Sequence, residues 1–249
     1  MSNPVLNNST AEKYLQQGEN FEAMTISGTV LKTTLLLAIL ILTSSVTFSL
    51  VLKGFIDKAM MLGGVGIFGG LIVAMIIIFS KNTKITAPLS LLYSGLEGLA
   101  IGGISALFAA KYGGGIVANA VCATFAVLFS MLFLYAAKII KCTEKFMGTV
   151  IAATFGVLVI YLISFVVSFF NPGAASLLMG NGPFGIGFSV VVCLIAAFNF
   201  IIDFHTIENA KNMGLTKDFE WYGAFSLMVT LIWLYIEILK LLAKLNSRR

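Results

Sequence analysis

The sequence predicts an all-α, polytopic membrane protein of seven transmembrane helices, with the seventh at the centre. Three observations predict it. Seven long apolar stretches occupy most of the 249 residues. Hydrophobic residues make up 59% of the chain and charged residues 11%, against roughly 25% charged in a soluble domain, and the mean hydropathy is +0.99. The last stretch carries a polar stripe at helical spacing, Tyr222, Ser226, Thr230, Trp233, Glu237, Lys240 and Lys244. Lipid would not solvate that stripe, so the helix is expected to turn it inward among the others.

Residues 1–28 are polar and of mixed charge, with Asn3, Asn7, Asn8, Glu12, Lys13, Glu19 and Glu22. They are expected to form a mobile tail. No basic segment runs straight into an apolar one, so no cleavable signal peptide is expected. Residues 29–249 are expected as one membrane domain. A spanning helix needs about 20 mostly apolar residues, and the spans fall near 30–52, 60–80, 88–110, 115–138, 147–170, 184–208 and 219–245. Spans two, four and five have no polar face, which excludes a soluble helical protein. A porin-type barrel would show short alternating strands instead. The sixth span is interrupted at its end by Asp203 and His205, so its exit is the least defined.

The connections are short, and none is long enough to fold as a separate domain. Pro4, Pro88, Pro172 and Pro183 all fall outside span interiors or at span starts, as helix geometry requires. Asn171–Pro172–Gly173 and Asn181–Gly182–Pro183 bracket the loop before span six and read as turns. Small residues recur every fourth position in span three (Ser94, Gly98, Gly102, Ala106, Ala110) and in span two (Gly66, Gly70, Ala74). Such stripes let helices approach closely, and packing within the chain is preferred here over a dimer interface.

The net charge is +5 and the isoelectric point near 9.1. The cations sit at span ends, as with Lys53, Lys58, Lys81, Lys84, Lys111, Lys138, Lys141, Lys145, Lys240, Lys244, Arg248 and Arg249. They read as headgroup anchors, and the lipid bilayer is the expected partner. No basic patch is interleaved with aromatics, so nucleic acid is not expected as a partner. The loop at 138–146 carries three lysines and the loop at 171–183 none. By the positive-inside rule the N-terminus is expected inside and, after seven spans, the C-terminus outside.

Cys122, Cys142 and Cys193 form no CxxC and share no metal spacing with the single His205; they read as small apolar fillers. Enzymatic signatures are missing: there is no HExxH and no GxSxG. The letters GVGIFG at Gly64–Gly69 match a dinucleotide fingerprint but lie in a span with no strand before them. No enzymatic activity and no bound cofactor are expected.

The intramembrane acids are the lead to function. Asp203 ends the run Val190–Asp203, and Asn199 lies on its face four positions earlier. His205, an expected interfacial residue, Glu208 and Asn209 follow. Glu97 lies about ten residues into span three, with Tyr93 on its face. Glu237 lies deep in span seven, three positions before Lys240, where a local ion pair is the plain alternative to a functional role. Buried acids can bind a cation, relay protons, or lock helices through a shared proton or cation. Each of these makes behaviour depend on pH.

Several segments together resemble one family. They are ATFAVLFSMLFLYAAKIIKCTEKF (Ala123–Phe146), YSGLEGLAIGGISALF (Tyr93–Phe108), FIIDFHTIENAKNMG (Phe200–Gly214) and GAFSLMVTLIWLYIEILKLL (Gly223–Leu242). The chain is similar over roughly Val30 to Leu245 to the Bax inhibitor-one, or transmembrane Bax inhibitor motif, family, with a bacterial branch the nearest resemblance. The resemblance implies six helices wrapped around the seventh. It also implies a pH-sensitive calcium leak controlled by an aspartate pair on helices six and seven. Asp203 matches the helix-six aspartate. On helix seven a gapless register places Thr230 at the second aspartate's position. A register shifted by two turns would place Glu237 there, because WLYIEIL resembles the family's LYLD segment. The gapless register fits the whole helix and is preferred, so the pair is absent in its usual form.

The expected function is therefore a slow, pH-gated cation leak in the cell membrane, a bacterial inner membrane on this resemblance, with calcium as the transported ion. Asp203 is the central acid and candidate metal ligand; Glu97, Glu237, Thr230 and Asn199 are candidate ion- or proton-sensing partners. The alternative is a non-transporting regulator of membrane-protein quality control, such as a modulator of a membrane protease. A retinal protein would need a mid-membrane lysine on the last helix, and Lys240 with Lys244 just beyond reads as snorkelling instead.

Overall fold

The computed structural model describes residues 22–80, 82–170 and 180–247. The tail before Glu22, Lys81, the Asn171–Pro172–Gly173 turn, Arg248 and Arg249 lie outside the described residues. Seven helices, each long and apolar enough to cross a membrane, occur among the described residues. They are α1 (Ile26–Leu52), α2 (Ile56–Phe79), α3 (Thr86–Tyr112), α4 (Gly115–Ala136), α5 (Glu144–Phe170), α6 (Pro183–Asn212) and α7 (Phe219–Asn246). A single 3-10 turn, Thr83–Ile85, leads into α3.

Five of the seven helices begin one to four residues before the predicted spans do. Thr25 caps α1, its side chain accepting the Gly28 N–H at 2.9 Å. Pro183 opens α6, where a missing N–H costs nothing. The α6 helix also continues past Asp203 and His205 to Asn212. It stops because Gly214 adopts φ +67, letting its N–H bond to Lys211 O at 3.0 Å and the Leu215 N–H to Ala210 O at 3.1 Å. The α1 helix is unusually rich in hydroxyls for a span. Thr33, Thr34 and Ser45 donate to the carbonyls four residues back at 2.8–2.9 Å, so the helix satisfies its own polar groups.

The chain forms two compact units. The first contains α1, α2, α3 and His205–Val229, which includes the α6–α7 turn and the start of α7. Here the small-residue stripes find their partners. Ser94 donates to Leu36 O at 2.7 Å. A Cβ on Gly98 or Gly102 would overlap Thr43 Oγ1 or Ser44 O on α1, and one on Gly66 would overlap Leu96 O on α3. The stripes are therefore helix contacts within the chain. Tyr93 stacks edge-on against Phe225, ring centroids 4.9 Å apart.

The stretch Glu22–Thr25, expected as tail, runs along the α6–α7 turn. The Met24 N–H donates to Leu215 O at 2.8 Å and the Lys217 N–H to Glu22 O at 2.9 Å. Glu22 and Lys217 also form an exposed ion pair.

The second unit contains α4, α5, the Pro183–Phe204 part of α6 and α7 from Thr230 onward. Its core is aromatic and aliphatic: Phe146 meets Phe198 edge-on at 5.6 Å, and Phe200, Ile201, Ile202, Leu234 and Leu239 are fully buried.

Of the seven helices α7 is the most enclosed. Of its most apolar stretch 56% is buried, against 17% for α1, α4 and α5, which is the burial expected of the central helix. On α2 and α5 the exposed side chains are large and apolar, among them Phe68, Leu71, Phe79, Phe155, Leu158 and Leu162. A surface of that kind needs lipid rather than water around it.

Candidate proton- and cation-sensing site

The site grows from α6. Ile201, Ile202 and Asp203 are all buried, Asp203 to 4% exposure, so the carboxylate is withdrawn from lipid and from water alike. Its partner comes from α7, where Thr230, 6% exposed, donates its hydroxyl to Asp203 Oδ2 at 2.6 Å. That length is typical of a hydroxyl bonded to a carboxylate. Thr230, rather than Glu237, is thus the α7 side chain placed against Asp203.

The other candidate residues are dispersed. Asn199, one turn before Asp203, donates to Thr154 Oγ1 of α5 at 2.9 Å and to Ile195 O at 2.8 Å. Glu237 lies two turns beyond Thr230 on α7 and is 1% exposed. Its Oε2 accepts from the Tyr161 hydroxyl at 2.8 Å, and its Oε1 accepts from Lys240 Nζ at 2.9 Å. Glu97 belongs to the first unit. It is half-buried against α2, where a Cβ on Gly70 would stand 2.6 Å from its Oε1. His205 shares a hydrogen bond of 3.0 Å with Asn209.

The described residues contain no cluster of three or more His, Cys, Asp or Glu side chains able to hold a metal ion.

A family model described as Bax inhibitor 1 like matches residues 3–247. The chain belongs to the Bax inhibitor 1-like family. No curated protein matches it. In this Bax inhibitor 1-like protein the buried aspartate of α6 meets a threonine of α7 in hydrogen-bond contact.

Two features of this Bax inhibitor 1-like chain escape a reading of its sequence. Tyr161 lies in an apolar run with nothing to mark it as the donor to Glu237. Glu220, at the start of α7, is 2% exposed and accepts from the Thr25 N–H at 2.8 Å, Thr25 Oγ1 at 3.1 Å and Lys32 Nζ at 2.7 Å. A signal for it existed: Lys32 is the one cation within Ile26–Leu52, and a lysine so placed needs an acid.

Proposed function

We propose that this protein is a slow, pH-sensitive leak for cations, calcium foremost, across a cell's plasma membrane, and that it has no enzymatic activity. The observation that carries the reading is the buried Asp203 carboxylate bonded to Thr230. A buried acid of this kind changes the local charge by one unit when it gains or loses a proton, and a cation crossing nearby responds to that charge.

Thr230 makes the switch tolerable. A hydroxyl both donates and accepts. Facing an ionised carboxylate it donates. Facing a protonated one it accepts, and its own hydrogen can turn to a carbonyl one turn back on α7. The contact survives both states, so charge is what changes. Two facing carboxylates would instead titrate as a coupled pair.

The test is calcium flux into vesicles reconstituted with the purified protein, measured across a pH series. Wild-type flux should follow pH, and Asp203→Asn, which keeps the shape and removes the titration, should flatten it. Flux in Asp203→Asn that follows pH as the wild type does overturns the reading. Wild-type vesicles with no flux at all favour the regulator of membrane-protein quality control.

A further inference from the structure

Glu237 is as buried as any acid among the described residues, and a carboxylate so placed needs a cation. The chain supplies one itself. Lys240, one turn along α7, donates to Oε1 at 2.9 Å, and its Nζ stands 4.8 Å from the centroid of the Tyr161 ring. The Tyr161 hydroxyl holds Oε2. The Glu237 carboxylate and the face of the Tyr161 ring thus converge on one ammonium group, while the phenol holds the carboxylate's other oxygen, an arrangement suited to an ammonium that carries N–H donors.

The two halves of the pair differ in access. The Glu237 side chain is 2% exposed and the Lys240 side chain 41%. The acid is fixed by burial and by α5, while the ammonium rides on a flexible stem from the open side. Lys244 is engaged differently, donating to Gly185 O at 2.9 Å and Ser189 Oγ at 2.8 Å on α6.

We propose that Glu237 and Tyr161 form a binding site for a small ammonium-type monovalent cation, and that Lys240 is its tethered occupant, replaceable by a free cation when the side chain swings out. The class follows from the ligands. Calcium takes 6–8 oxygen ligands, far more than one carboxylate and one phenol provide. A primary ammonium is satisfied by the carboxylate and the ring. This inference does not rest on the leak reading, which concerns Asp203, the other buried acid of the unit.

Chemical rescue tests it. In full-length protein held in lipid nanodiscs, Lys240→Ala should unfold several degrees below wild type. Methylammonium should raise the unfolding midpoint of that variant saturably. Tetramethylammonium at equal ionic strength should not, because it has no N–H to give the carboxylate. Neither ion should do so selectively in wild type, whose site is filled, or in Lys240→Ala/Glu237→Gln, whose site is gone. Lys240→Met keeps most of the stem's packing and gives the same readout should the alanine variant fail to accumulate. A methylammonium response that is equal in all these proteins, or absent from both Lys240 variants, overturns the site and leaves Glu237–Lys240 as a fixed structural pair.

Discussion

Glu220 and Glu237 are two acids of the same helix, each with a side chain 2% exposed and each bonded to a lysine. They are built to opposite ends. Glu220 receives donors from a separate part of the chain: the backbone and hydroxyl of Thr25, and Lys32, itself only 14% exposed. Lys32 is held in turn by Lys217 O at 3.2 Å and lies over the Trp221 ring. Gly28 leaves the room, since a Cβ there would overlap the carboxylate. Glu237 takes its lysine from its own helix, three residues on, and that lysine is half-exposed. The difference teaches that a buried acid becomes a tie between segments when its donors are distant and enclosed. It becomes an exchangeable site when its counter-ion is local and open to the outside.

The largest effect that would break this comparison lies in two double-mutant cycles, read as unfolding free energies. Coupling between Lys32→Met and Glu220→Gln should be on the order of 3 kcal/mol, as for an enclosed pair. Coupling between Lys240→Met and Glu237→Gln should be about 1 kcal/mol or less, because the ammonium is screened from its exposed side. Equal couplings would erase the distinction. Next in size is Thr25→Ala, which removes both the α1 cap and one Glu220 donor. It should cost roughly 1–2 kcal/mol, whereas Thr25→Ser, which keeps the hydroxyl, should cost much less in the same unfolding assay.

The smallest effect belongs to the exposed Glu22–Lys217 pair. The Lys217 ammonium, through its hydrogen bond and its charge, holds the Glu22 carboxyl below the usual range. A depressed carboxyl contributes only while it is ionised. Whatever the pair adds is present at neutral pH and lost as pH falls through the carboxylate range. Glu22→Gln should unfold within error of wild type at pH 7, and a clear destabilisation there would mean that the strap along the α6–α7 turn depends on it.

How much was legible in advance follows the physics of each signal. Hydropathy reports length and lipid exposure, so all seven helices were readable, and the α7 stripe pointed to its enclosure. Helix ends were read short because caps such as Thr25 and the polar end of α6 lie beyond the apolar run. Asp203 and Thr230 could be put forward as a pair only through the resemblance and a choice of register. Helical spacing places residues on a face but does not say which face of another helix meets it. That same gap hid Tyr161 from Glu237 and sent Asn199 to Thr154. Glu220 was missed because an acid in a helix's first turn usually needs no partner beyond the helix itself.

The length of α6 has one more consequence. Asp203 stands about twenty residues, or roughly 30 Å of helix, beyond Pro183. The hydrocarbon core is itself about 30 Å thick. A helix entering lipid near Pro183 delivers Asp203 to the opposite boundary, on the expected topology the side of the N-terminus. On the proposed leak reading and the expected topology, protons would reach Asp203 from the side of the N-terminus and would cross little of the membrane's electric field, so the pH response would be sided and nearly indifferent to voltage.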